Sequence, residues 1–156
     1  MGRVGDWLSR KVREPLVREL RQGLSAEDLA SSVAVGSALG ILPFLGLTTL
    51  ACWAAGRILR LNPVALQVAN YLVYPLQLAL LVPFVRLGEH LTGSPPLPLD
   101  PTTLVSRFTE GPIAFLGEFG IAGLHGLLGW TLVAIPTGWL LRRLLLPIFR
   151  RLALAP

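Results

Sequence analysis

The stretch GILPFLGL, Gly40 to Leu47, sits in the middle of a run from Leu29 to Gly56 that carries no charged side chain. At 28 residues the run exceeds the roughly 20 that one transmembrane helix needs. Pro43 interrupts it, because proline has no amide hydrogen to give and its ring opposes the carbonyl four residues back. A helix entering at Leu29 stops near Leu42, after about 21 Å, and the remainder from Phe44 to Gly56 covers about 20 Å. Neither half spans a hydrocarbon core of about 30 Å. The run either crosses once with a proline kink, or dips in and returns as a re-entrant hairpin with Gly40, Pro43 and Gly46 at its tip. Non-helical backbone at that depth survives only where protein or water shields it.

Two further charge-free runs follow, Leu61–Val85 and Phe119–Leu141, each longer than a spanning helix requires. With 15% charged residues and a mean hydropathy of +0.62, the 156-residue chain falls in the membrane class and is expected to be all-α. Short cytoplasmic loops collect Lys and Arg. Three crossings from a cytoplasmic N-terminus divide the basic residues eight to six, which decides nothing. A re-entrant first run followed by two crossings places twelve inside and leaves only Arg86 and Arg107 outside. Folding back the second run as well gives ten against four, so that variant stays open.

The expected organisation is an interfacial segment over 1–24, a membrane core over 25–93, an external connector over 94–118, and a glycine-rich spanning helix with a basic tail over 119–156. Val4, Leu8, Val12, Leu16 and Leu20 recur every fourth residue while Arg10, Arg13, Arg18 and Arg21 fall elsewhere, the pattern of a helix lying in the membrane interface. Ser25 with Asp28 forms a capping box that starts a helix at Ala26. Asn62 can cap a helix with Pro63 at its first position, and Asp100 with Pro101 repeats the signal. Both termini are expected in the cytoplasm of a multi-pass protein.

The formal charge of +5 does not point to nucleic acid, because the basic residues flank apolar runs instead of covering a soluble domain. Lipid headgroups are the expected contacts. Cys52 is the only cysteine, so no intrachain disulfide forms. No Walker loop, nucleophile elbow or metal-binding cluster is present, so neither a cofactor nor a catalytic residue is assigned. His90 and His125 are too few for a metal site, although His125, inside the third run, is ionisable at membrane depth.

The polar residues of the apolar runs make the strongest constellation. Gln67, Asn70, Tyr74 and Gln77 follow one another at helical spacing, which places all four on one face of a continuous helix. Such a face turns toward protein, as interhelical glue, or toward a cavity. Arg57, Arg60 and Arg86 stand at run edges, where a guanidinium fork matches a phosphate or simply reaches ordinary headgroups. Glycine at 117, 120, 123, 126 and 129 allows close helix packing, and Gly36 with Gly40 and Ala122 with Gly126 form small-xxx-small faces.

The segment Gly36–Gly93 resembles the DUF2062 family of bacterial membrane proteins. The shared features are the Gly40, Pro43, Gly46 break, the Arg60–Asn62 turn, Asn70 followed by Pro75, and Phe84 followed by Gly88. Leu47 stands where many members carry Gln, and Tyr74–Gln77 where they carry Asn-Pro-x-Thr. The resemblance implies a bacterial inner-membrane protein of uncharacterised activity. Relatives joined to glycosyltransferase domains hint at a lipid-linked sugar as partner, and the arginines at the run edges at an anionic lipid. Two functions are weighed on these residues. One is handling or translocating a small anionic or lipid-phosphate substrate through the broken run and polar stripe. The other is a non-catalytic scaffold that docks a partner, or a second copy of the chain, on its glycine faces.

Overall fold

The computed structural model describes residues 25–153, so the interfacial helix expected over 1–24 lies outside the described residues. Every regular element among them is helical: α1 (Ala26–Gly40), α2 (Thr48–Ile58), α3 (Pro63–Leu72), α4 (Tyr74–Thr92), α5 (Pro101–Glu110) and α6 (Pro112–Ala153). Local chemistry sets three of the starts. The Ser25 hydroxyl accepts from the Asp28 amide at 3.0 Å and donates to the Asp28 carboxylate at 2.7 Å. Asn62 Oδ1 accepts from the Ala65 amide at 2.8 Å, with Pro63 opening α3. Asp100 accepts from the Thr102 hydroxyl at 2.6 Å and the Thr103 amide at 2.8 Å, and these bonds hold its carboxyl down to about 2.

The axis of the fold is α6, 42 residues or about 63 Å long. One half of it carries α1, running antiparallel. Arg150 meets Glu27 at 2.6 Å, Arg142 Nε donates to the Ser31 hydroxyl at 2.8 Å, and Trp130 Nε1 donates to the Ala38 carbonyl at 2.9 Å. The other half carries α4, also antiparallel. There Gly88 lies on the His125 backbone and Gly129 on the Phe84 backbone, so closely that a Cβ on either glycine would overlap its neighbour. On the far side of α1, α3 runs parallel to it, with Gly36 against Leu66 and Gly40 against Asn70 and Val73. The small-residue face formed by Gly36 and Gly40 is therefore the seam between α1 and α3. Leu29, Ala30, Ala65 and Phe149 form one buried cluster, and Ile41, Phe84 and Ala134 form a second nearer the break.

Between α1 and α3 the chain reverses. α2 leads back toward the start of α1, where the Asn62 amide donates to the fully buried Ser32 hydroxyl at 2.9 Å. The turn closes with Leu61 N–H on the Gly56 carbonyl at 3.0 Å, and Arg60 occupies its left-handed position at φ 54°. Glycine is the usual residue there, since a Cβ is strained in that region.

Among the described residues one helical segment, Phe119–Leu152, is long and apolar enough to cross a membrane, and α3 with α4 makes a second if the bent pair is one span. Outward residues of α6, among them Leu124, Leu128, Leu132, Ile135 and Trp139, are exposed, an apolar surface that water would penalise. The second apolar run is not the continuous helix its length predicts, because the axis bends by 65° at Val73. Pro75 supplies the reason. It lies in the first turn of α4 and has no amide hydrogen for the Tyr71 carbonyl, so α3 ends and a new helix begins.

The Glu27–Arg150 pair ties the start of α1 to the end of α6, and hydrogen bonding from Arg150 is the main cause that holds the Glu27 carboxyl below its usual range. A carboxylate lowered in the folded state contributes stability that is full above its unfolded value and is lost as pH falls through the folded one. Because both side chains are about half exposed and Leu29, Ala30 and Phe149 pack the same helix ends together, we expect only a small fall in thermal stability as pH drops through the carboxylate range. In an Arg150→Gln variant that part of the pH dependence should be lost.

Candidate functional site

The break that interrupts the first run is built in three steps. α1 closes at Ile41, the Leu42 amide donates back to the Leu39 carbonyl at 3.0 Å, and Pro43 ends the ladder. The Leu47 amide then donates to the Phe44 carbonyl at 3.3 Å, and Gly46, at φ 84°, supplies the left-handed residue that lets the chain turn into α2. A helix end releases carbonyls that need partners wherever water does not reach them. Two side chains from elsewhere in the fold take them up. Gln77 Nε2 donates to the Leu42 carbonyl at 2.7 Å, and Trp130 Nε1 holds that of Ala38. Both donors lie far away in sequence.

The packing of the break explains two of the α6 glycines. Pro43 sits against Gly126, and the Phe44 ring against Gly123. With Gly129 on Phe84, three members of the glycine series are used inside the chain, while Gly117 and Gly120 face open space.

Some of the residues singled out in the sequence come together here. Gly40, Pro43, Asn70 and Gln77 surround the break, and Gln67 is linked to them, since Asn70 Nδ2 donates to Gln67 Oε1 at 3.3 Å and Gln67 Nε2 donates to the Thr49 carbonyl at 3.2 Å. The face expected from Gln67, Asn70, Tyr74 and Gln77 is split by the bend. Asn70 and Gln77 are buried, whereas Tyr74 and Pro75 are exposed on its outer side. Gln77 bonds across elements to the Leu42 carbonyl, whereas Asn70 bonds within α3 to Gln67.

The arginines fall into two separate groups. Arg57 lies over the Trp53 ring, 5.2 Å from its centroid, and shares with Arg60 and Asn62 the end of the fold where Ser32 lies. Arg142, Arg143 and Arg150 join that end from α6, with Arg143 4.1 Å over Trp139. Arg86 is at the opposite end, where it pairs with buried Glu89 at 2.8 Å. Glu89 also accepts from the Leu97 amide at 2.9 Å, and His125 Nε2 lies within 3.1 Å of Thr92 Oγ1 and 3.3 Å of Ser94 Oγ. This network pins the start of the proline-rich connector to the end of α4 and to His125 in the interior of α6. Sequence reasoning had grouped Arg86 with Arg57 and Arg60.

A groove of about 280 Å³ lies between α1 and α6, lined by Ala34, Ala38, Trp130, Ala134, Gly138 and, at one end, Arg142. Sequence reasoning missed Ser31, Trp130 and Arg142 as participants. Arg142 registered only as a basic residue flanking a span, and the sequence holds no local signal that pairs it with Ser31, 111 positions away.

Among families of known proteins, one model matches residues 9–154, that of DUF2062, described as an uncharacterized protein conserved in bacteria. No curated protein and no solved structure matches the chain.

Proposed function

Because the chain belongs to the DUF2062 family of bacterial proteins, whose description assigns no activity, we propose its function from the geometry: an inner-membrane protein that holds an anionic lipid phosphate at its arginine-bearing end. One observation carries this reading. The Asn62 amide returns to the Ser32 hydroxyl, so the α1–α2 pair leaves the fold on the side where it entered. Placed in a bilayer, α1 and α2 form a re-entrant hairpin, α3 with α4 makes a bent crossing, and α6 crosses back. The tip suits such a setting. Phe44, Leu45 and Leu47 carry no charge, and their level on α6, near Gly126, is about 24 Å along the helix from Arg142, short of the roughly 30 Å core.

This arrangement gathers Arg57, Arg60, Arg142, Arg143, Arg150 and Arg151 on the side expected to hold the N-terminal basic segment, in line with the positive-inside rule. Two of the six stack on tryptophan rings, which suits a headgroup layer where aromatic residues collect and guanidinium groups meet phosphates. The scaffold reading has less support, because the glycines at 123, 126 and 129 are spent on contacts within the chain. Satisfaction of the break by Gln77 and Trp130 favours binding over an open passage through it.

The topology is tested by cysteine labelling in a Cys52→Ser background. Arg60→Cys should resist an impermeant maleimide in intact cells and react after permeabilisation. External labelling would remove the re-entrant hairpin. The lipid reading is tested by native mass spectrometry of the purified protein, which should retain phosphatidylglycerol in preference to phosphatidylcholine; equal retention would overturn it.

A further inference from the structure

We infer that the groove between α1 and α6 is a site for one acyl chain of an anionic glycerophospholipid, with the lipid phosphate against Arg142. The inference rests on the lipid-phosphate reading above and assigns it a place. The walls are Ala34, Ala38, Trp130, Ala134 and Gly138, aliphatic or aromatic throughout, and the groove is open along one side. Its volume of about 280 Å³ lies just below the roughly 300–1,000 Å³ of pockets that enclose a whole drug-sized ligand, which suits part of a single chain.

The two ends of the groove differ. Arg142 closes one end, on the side that gathers the other α6 arginines. Its Nε is fixed by the Ser31 hydroxyl at 2.8 Å, and that hydroxyl is itself held by the Glu27 carbonyl at 2.7 Å. The guanidinium is thus oriented before any ligand arrives, while its Nη groups make no hydrogen bond among the described residues. Glu27 is the nearby acid, and its Oε1 is already taken by two donors of Arg150, at 3.0 Å and 2.6 Å, which offsets its repulsion of an incoming phosphate. Toward the other end the Trp130 indole nitrogen is occupied by Ala38, so the ring presents only carbon to the groove. An apolar slot with one preoriented cation at the headgroup end is complementary to a lipid of net negative charge, and less so to a zwitterion, whose phosphate is the same but whose added cation the neighbouring arginines repel.

The test uses the full chain purified in mild detergent, stripped of lipid and reloaded with phosphatidylglycerol or phosphatidylcholine, with bound lipid counted by native mass spectrometry. Arg142→Gln should weaken retention of phosphatidylglycerol by about tenfold, the range of one charge-assisted hydrogen bond, and abolish the preference over phosphatidylcholine. Gly138→Leu fills the groove and should remove one tightly held lipid of either kind. Arg107→Gln, on the connector helix α5 and away from the arginine-bearing end, should leave that lipid in place. Thermal unfolding of each variant identifies a fold defect, and Arg142→Gln, on an exposed side chain, keeps the test decisive if Gly138→Leu does not fold. Preference for phosphatidylglycerol that survives both Arg142→Gln and Gly138→Leu would overturn this site while leaving the lipid-phosphate reading intact. Equal binding of both lipids by wild type would overturn both. A dimer that covers the groove without lipid would also overturn the site.

Discussion

Replacing Gly88 by valine is expected to separate α4 from α6 and to destabilise the protein by about 3 kcal/mol or more, the upper range for overpacking. A Cβ at this position would meet the backbone of His125, and backbone in the middle of a helix cannot swing aside as a side chain does. The same contact sets the register of the end of α4 against the interior of α6, so the links from Thr92 and Ser94 to His125 should fail with it. Gly120→Val is the matched control. No atom lies within 4 Å of the Cβ it would add, and its cost should stay near 0.5 kcal/mol or less. Thermal unfolding in detergent, read beside the yield of folded protein, compares the two. Equal losses for Gly88→Val and Gly120→Val would show that close approach of α4 to α6 does not govern stability.

The second large effect is expected from Gln77→Leu. Gln77 is 1% exposed, and its amide donates at 2.7 Å to the Leu42 carbonyl, which the end of α1 leaves without a backbone partner. Leucine keeps the bulk and leaves that carbonyl unsatisfied, at a cost of about 1–2 kcal/mol given that membrane hydrogen bonds are weaker than their burial implies. Asn70→Leu should cost less, about 0.6 kcal/mol, since its bond to Gln67 is longer at 3.3 Å and Gln67 is only half-buried. Hydrogen exchange at Phe44–Leu47 should rise in Gln77→Leu and stay near the wild-type rate in Asn70→Leu. If Asn70→Leu proved the more damaging, the polar stripe would be acting through Asn70, and Gln77 would not be the support of the break.

What could be read directly from the residues was local. The starts at Ala26, Pro63 and Pro101 depend on a capping side chain and one or two neighbours, all within four positions, and each appears where its signal stands. The break at Pro43 is equally local, because proline removes a hydrogen bond whatever surrounds it. Pro75 and Pro83 carried the same message within the second run, yet the helix breaks before the first and continues through the second. Only packing decided on a bend of 65°. The glycines at 123, 126 and 129 announced close approach without naming a neighbour, since a missing side chain records that something comes near and not what it is. Tertiary structure assigned them to Phe44, Pro43 and Phe84. Likewise Gln77 reaches Leu42 across 35 positions and Arg142 reaches Ser31 across 111. Helix caps and proline breaks are decided by interactions within one turn, so the sequence by itself determined them; which polar group satisfies a broken helix, and which arginine ends an apolar groove, depends on how separate helices pack, and that only the tertiary structure decided.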